Sequence, residues 1–211
     1  MPITIQCPVS GNWKLHTPAG HHPYSKDFVA LDFRLLELSP ANRLRYAIAS
    51  LRSDALPSWD QAVVAPMSGK ILRLMQDHDD RAALNFLRDT VQQKIIAPRK
   101  GSDDIGYYLG NYIIMEADSG HHVLFAHLRK GSARVIDGQA VNSGDTLAHI
   151  GNSGISMRPH LHFHITHPAA EHPDQPVPFV FDHYQSCDDG VWHDEKALLP
   201  VDNKPFRARE A

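Results

Sequence analysis

The chain of 211 residues is 42% hydrophobic and 21% charged, an ordinary composition for a globular protein with a sizeable core. Its net charge of −3 argues against a nucleic-acid or anionic-membrane partner, because both require a basic patch. No apolar run is long enough to span a membrane, and no signal peptide is visible at the N-terminus. The expected location is the cytoplasm as the sequence stands, or the periplasm or exterior if a leader has been removed.

The N-terminal part predicts a loop, a short strand and a helix. Residues 9–32 are rich in Gly, Pro and His and end in the apolar run 28–33, which predicts a loop that enters a strand. Ser39 followed by Pro40 predicts an N-cap and a first-turn proline, and apolar residues at helical spacing follow.

The rest of the chain is dominated by short strands and tight turns without βαβ alternation, which predicts a mainly β protein with a compact antiparallel sheet. Residues 1–165 form the predicted domain. Residues 166–211 are rich in Pro and Asp, which predicts a tail that wraps over the surface of the domain and packs on it. Apolar residues three and four apart predict one inserted helix at about 79–97. The predicted strands cover residues 63–74 (as strand, turn, strand), 111–116, 122–127, 147–150 and 160–165.

The fifteen histidines are the unusual feature of the composition, and three of them alternate along the last predicted strand. His160, His162 and His164 share one face, while the apolar residues between them face the core. Two imidazoles on one face can bind one metal ion, or one can bind while the other acts beside it. His127 lies at the end of another predicted strand. It is a candidate site residue only if that strand neighbours the strand of His160.

A candidate carboxylate lies near the N-terminus. Asp32 ends the run Ala-Leu-Asp-Phe, and a buried acid in such a run must be hydrogen-bonded or ligated. His21 and His22 precede it in a loop long enough to fold back onto the same ion, and Asp27 is a rival to Asp32. Two histidines and one carboxylate are the ligand set of a hydrolytic zinc site, with a fourth position for water.

Four ordered segments, which together cover about residues 20–165, resemble the lysostaphin-type and β-lytic zinc metallopeptidases. They are Gly-His-His with Ala-Leu-Asp-Phe, Val-Ala-Pro-Met-Ser-Gly-Lys-Ile, Gly-Asn-Tyr-Ile-Ile with Phe-Ala-His-Leu, and Gly-Asp-Thr-Leu-Ala-His-Ile-Gly-Asn-Ser-Gly with Pro-His-Leu-His-Phe. The resemblance implies a compact antiparallel β-sheet domain with an open groove, and an endopeptidase that cuts peptide cross-links or stems of peptidoglycan.

The resemblance also implies roles for individual residues. One Zn²⁺ per chain is held by His22, Asp32 and His162, with His21 as a competitor of His22. His127 and His160 are the proton acceptor and the oxyanion stabiliser. The first motif is longer here than in the family, the inserted helix is a departure from it, and His164, where the family usually has Glu, is expected at the rim of the groove.

Two other functions are alternatives to an active peptidase. A zinc- or peptide-binding module could keep the fold and lose turnover, but all five site residues are present. The Val-Ala-Pro-Met-Ser-Gly-Lys-Ile segment also resembles biotinyl and lipoyl carrier domains, yet no Met-Lys-Met sequence is present and the histidines would be unexplained. The expected partner is a peptide or peptidoglycan substrate, and the sequence does not indicate an oligomeric state.

Overall fold

The computed structural model describes residues 1–18, 20–91, 105–168 and 175–208. Strands dominate, so the predicted mainly β architecture is confirmed. The strands are β1 (Ile3–Ile5), β2 (Gly11–His16), β3 (Lys26–Ala30), β4 (Leu51–Arg52), β5 (Ala62–Val64), β6 (Gly69–Met75), β7 (Ala83–Leu84), β8 (Asn111–Ala117), β9 (His122–Leu128), β10 (Ala140–Val141), β11 (Thr146–His149), β12 (Leu161–Thr166), β13 (Phe179–Asp188), β14 (Val191–Leu198) and β15 (Pro205–Ala208). The helices are α1 (Pro40–Ile48), α2 (Phe86–Val91) and α3 (Ile105–Leu109).

Eleven of the described strands form one large sheet. Its order is β1-β13-β15-β2-β3-β12-β9-β8-β6-β10, and β14 joins it off this path by pairing with β13. The pairing is antiparallel except between β1 and β13. Strand β12 therefore lies between β3 and β9, which brings the N-terminal motif and the strand that carries His127 to either side of the His-rich strand.

Strand β12 divides the two faces of the sheet as its alternation predicts. Leu161, Phe163 and Ile165 are fully buried in the main core, whereas His162 and His164 lie on the other face. On the neighbouring strand β9, the same face of the sheet carries apolar residues, because Ala126 lies opposite His162 and Leu124 lies opposite His164. The site face is thus a polar strip on β12 beside an apolar surface.

Helix α1 confirms the predicted N-cap, because the Ser39 hydroxyl accepts a hydrogen bond from the Asn42 amide. The inserted helix begins later than predicted. Residues 79–85 include the two-residue strand β7, and the described helix starts at Phe86 and is seen to Val91, while residues 92–97 of the prediction lie outside the described residues. The apolar periodicity predicted helix at Ala83 and Leu84, but these two residues form a strand that pairs with β4.

The segment after residue 165 packs on the domain, but as part of the sheet rather than as a tail wrapped over its surface. Strands β13, β14 and β15 carry its described residues, and β15 inserts between β13 and β2. Phe179, Phe181 and Phe206 fill the main core from these strands. The sheet therefore runs across the boundary predicted at residue 165.

Two further features of the described residues bear on function. Cys7 and Cys187 are both buried and free, without a disulfide between them. No helix among the described residues is long and apolar enough to cross a membrane.

Candidate metal centre

Asp27 and His162 form the centre of the site. They lie directly opposite each other in the β3–β12 register, and Asp27 Oδ1 is 2.9 Å from His162 Nδ1. The other carboxylate oxygen, Oδ2, is 3.2 Å from His160 Nε2. Burial would raise the pKa of Asp27, but the charge and hydrogen bonds of His160 and His162 bring it well below its usual value. Asp27 is therefore a carboxylate shared by two imidazoles.

His160 lies at the entry to β12 and is held at both ring nitrogens. Its Nδ1 is 2.8 Å from the Arg158 carbonyl oxygen and 3.1 Å from the Ser156 hydroxyl. Burial would lower the pKa of His160, but the charge of Asp27 and its hydrogen bond raise it above the usual value. Because a carbonyl and a carboxylate only accept hydrogen bonds, both ring nitrogens carry protons when both bonds form. This histidine is stabilised as a cation.

His127 has the opposite environment, although its ring centre is only 4.6 Å from that of His160. Burial lowers the pKa of His127 well below its usual value, and nearby His160 and His162 lower it further. Its Nδ1 lies 3.0 Å from the Ser153 carbonyl oxygen, so Nδ1 carries the proton and Nε2 keeps a lone pair. The backbone of His127 has φ +62°, an uncommon conformation for a residue with a side chain.

The loop that supplies the Ser153 carbonyl is packed closely against the start of β8. Gly110 and Gly154 both have positive φ, and a Cβ at either would lie 2.4 Å from the backbone nitrogen of the other. Only glycine permits this approach. The Ser153 hydroxyl also accepts a hydrogen bond from the Asn111 amide and donates one to the Leu128 carbonyl. These contacts fix the carbonyl that orients His127.

His21, rather than His22, lies beside His162. The ring centres of His21 and His162 are 5.3 Å apart, edge to face. His22 is exposed, packs against Tyr24 and accepts a hydrogen bond from the Tyr24 amide. Both histidines that the sequence left in competition are exposed, but His21 contacts the His162 ring, whereas the described contacts of His22 are with Tyr24.

Asp32 does not join the cluster, contrary to the expectation from the sequence. It follows the end of β3, where its carboxylate accepts hydrogen bonds from the Arg34 and Leu36 amides in a turn. Within the described residues, no hydrogen bond, ion pair or ring contact connects Asp32 with His162. The strand ends at Ala30, so the carboxylate that faces His162 is Asp27, the rival that the sequence offered.

His164 is also placed differently from the prediction. It was expected at the groove rim, yet it is only 7% exposed. Its Nδ1 lies 3.3 Å from His162 Nε2 and 3.5 Å from the Ser25 hydroxyl. The alternation along β12 placed His164 on the correct face, but it could not show that the loop before β3 covers it.

Two of the three donor pairs, His21 with His162 and Asp27 with His162, lie close to the separations that a tetrahedral zinc ion requires. Among the described residues, no three His, Cys, Asp or Glu side chains already stand at coordination distances. Two imidazoles that bind one tetrahedral zinc through bonds of about 2 Å have ring centres about 5 Å apart, which matches the 5.3 Å between His21 and His162. The 2.9 Å between Asp27 Oδ1 and His162 Nδ1 must widen by a few tenths of an ångström, since tetrahedral zinc ligands lie about 3.3 Å apart.

Comparisons with known proteins show what this chain is similar to. A Haemophilus influenzae protein named "Uncharacterized metalloprotease" is 35% identical over 77 residues, which is 34% of this chain and 16% of that protein. A solved putative peptidase M23 from Pseudomonas aeruginosa is 18% identical, with a TM-score of 0.46 over 84% of this chain and 50% of that one. The catalytic domain of lysostaphin from Staphylococcus simulans is 18% identical, with a TM-score of 0.40 over 77% of this chain and 84% of that one.

The chain spans only about one sixth of the Haemophilus protein and half of the Pseudomonas chain, and the low structural likeness decides neither site nor substrate. The family model is the stronger finding. The model described as "Peptidase family M23" matches residues 55–176, more than half of the chain. The matched range contains His127, His160 and His162, and begins after His21 and Asp27. The chain belongs to peptidase family M23.

Proposed function

We propose that this protein is a zinc-dependent endopeptidase that hydrolyses peptide bonds in peptidoglycan cross-links or stem peptides. The observation that carries the proposal is the pair His127 and His160, two adjacent imidazoles beside the His162–Asp27 contact whose different surroundings lower the pKa of His127 and raise the pKa of His160. Paired groups whose pKa values are pushed apart are typical of acid–base catalysis. The cell-wall substrate is supported by the family alone.

The residues that would hold zinc are His21, Asp27 and His162. When bound, the ion supplies the Lewis acidity that lowers the pKa of water and polarises a carbonyl. This ligand set retains His162 from the sequence-based hypothesis and replaces His22 and Asp32 by the residues that contact or neighbour His162. Two histidines and one carboxylate leave one position open, as catalytic zinc sites require.

His127 and His160 divide the remaining work. His127 is neutral and keeps the lone pair of Nε2, so it accepts the proton of the attacking water. His160 is stabilised as a cation by Asp27, so its ring donates to the oxygen on which negative charge develops. The Ser153 and Arg158 carbonyls fix these roles, because each accepts the Nδ1 proton of its histidine.

The ligand assignment is tested with matched pairs of variants. Purified wild type, Asp32→Asn and His22→Ala should each retain about one zinc per chain, whereas Asp27→Asn and His21→Ala should lose it. Thermal unfolding of the metal-free forms checks that all variants fold. Retention of zinc by Asp27→Asn together with its loss from Asp32→Asn would instead support the assignment made from sequence.

Hydrolysis is tested with labelled peptidoglycan and an oligoglycine peptide, with and without a chelator, followed by restoration of zinc. Cleavage that the chelator abolishes and zinc restores is the expected result. A protein that binds stoichiometric zinc but cleaves neither substrate would be the alternative considered for this sequence, an inactive zinc- or peptide-binding module with the same fold.

A further inference from the structure

His164 contacts His162 on the side of the ring opposite Asp27. His162 Nδ1 faces the Asp27 carboxylate at 2.9 Å, and its Nε2 faces His164 Nδ1 at 3.3 Å. The two rings meet edge to face with centres 5.4 Å apart. Both nitrogens of His162 are therefore engaged, one by the candidate metal ligand Asp27 and the other by a second imidazole.

The chemistry of imidazole gives this contact a direction. If His162 binds an ion through Nδ1, that nitrogen needs its lone pair, so the ring proton must lie on Nε2. Nε2–H then needs an acceptor, and His164 Nδ1 is at the required position. Without the ion, His162 Nδ1–H donates to Asp27, and Nε2 accepts from His164 Nδ1–H. His164 can serve both states, because an imidazole nitrogen either donates or accepts according to its tautomer.

His164 also reaches the loop that carries His21 and leads into β3, the strand of Asp27. The Ser25 hydroxyl lies 3.5 Å from His164 Nδ1. Ser25 is buried, and in the sequence it lies between His21 and Asp27. The Ser25 amide donates to the His22 carbonyl, which turns the loop at this point. His164 thus contacts both the candidate ligand His162 and Ser25, the residue that joins the His21 loop to β3.

We propose that His164 is a positioning residue that holds the His162 ring in the orientation and tautomer needed for Nδ1 to bind zinc. The proposal rests on the proposed zinc site and adds a residue that acts through a ligand. Partners of this kind orient metal-bound histidines in other sites, and their substitution typically costs 10–100-fold in metal affinity.

The test compares zinc dissociation constants, measured by competition with a chromophoric chelator, for wild type, His164→Phe, His164→Gln and Thr166→Val. His164→Phe removes the acceptor and should weaken zinc binding by about 10–100-fold. His164→Gln supplies an amide oxygen that accepts Nε2–H and should restore most of that loss. Thr166→Val removes a buried polar group from the next position on the same face and should leave the affinity unchanged.

The absorption spectrum of the cobalt-substituted protein gives a second readout, because it reports the geometry around the ion. It should change in His164→Phe and stay as in wild type in the other two variants. If the phenylalanine ring is not accommodated, as judged by thermal unfolding of the metal-free protein, His164→Ala takes its place.

Wild-type affinity and spectrum in His164→Phe would overturn the positioning role while leaving the zinc site intact. Equal weakening in His164→Phe and His164→Gln would also overturn it, since the hydrogen bond would then be irrelevant. If wild type itself binds no zinc, the proposed function fails first and the role of His164 fails with it.

Discussion

His127 combines backbone strain with a role in the proposed reaction, and substitution can separate the two. Its φ of +62° lies in the left-handed region, which costs a residue with a Cβ about 1–2 kcal/mol and which Asn tolerates better. His127→Ala and His127→Asn both remove the imidazole, but only Asn also relieves the backbone. We therefore expect the metal-free Asn variant to be more stable than the Ala variant by about 1 kcal/mol.

Urea unfolding of the metal-free proteins measures this difference, which corresponds to about 2–4 °C in Tm for a chain of this length. Both variants should lose roughly 10²–10⁴-fold in hydrolysis, because neither can accept the proton of water. Stability and activity would then change independently at one position. An Ala variant as stable as the Asn variant would refute the strain argument, and substantial activity in either would remove His127 as the proton acceptor.

Three further predictions concern His160 and the ion pair between Lys26 and Asp202. His160→Ala should keep zinc, measured by metal analysis, but lose about 10²–10³-fold in hydrolysis; full activity would exclude His160 from the mechanism. Lys26, which is buried, donates to Asp202 at 2.8 Å, so Lys26→Met should lower the free energy of unfolding by about 1–3 kcal/mol. Burial opposes the shift, but the hydrogen bond from Lys26 keeps the pKa of Asp202 below its usual value. The stability gap between wild type and Asp202→Asn should therefore exist at pH 7 and close as pH falls below about 4.

The His-rich strand could be predicted because its information is local. Alternation of polar and apolar residues at 160–165 fixes which side chains enter the core, and the structure buries Leu161, Phe163 and Ile165 accordingly. A turn between two apolar runs likewise predicted β5 and β6, and an N-cap with a following proline predicted α1. In each case a few neighbouring residues determine the conformation.

The choice between Asp27 and Asp32 depends on information that is not local. Both acids flank the same apolar run, but β3 ends at Ala30, and the chain turns so that Asp32 caps two backbone amides. What selects Asp27 is its register opposite His162 on β12, 135 residues away in the chain. The spacing of residues within the motif does not reveal that pairing. With Asp27 in place of Asp32, the interval between the motif's histidine and its aspartate becomes shorter, which explains why the motif measured to Asp32 is longer than in the family.

The C-terminal strands illustrate a similar limit. The proline and aspartate content of residues 166–211 predicted a surface tail. The apolar side chains of this segment instead belong to strands that pair with the N-terminal strands, β13 with β1 and β15 with β2. Phe206 on β15 lies opposite Trp13 on β2, and both are almost fully buried. Residues from the N-terminal and C-terminal parts of the chain thus form neighbouring strands of the main sheet, and neither part shows this by composition alone.

The arrangement around Asp27 suggests why two identical residue types can perform different tasks 4.6 Å apart. A backbone carbonyl accepts from Nδ1 of each ring, so the difference arises at Nε2. For His160, Nε2 faces the Asp27 carboxylate, which favours a second proton. For His127, burial among other imidazoles opposes it. One carboxylate, set by strand register, therefore contacts the proposed ligand His162 and also distinguishes the proposed base from the proposed oxyanion stabiliser.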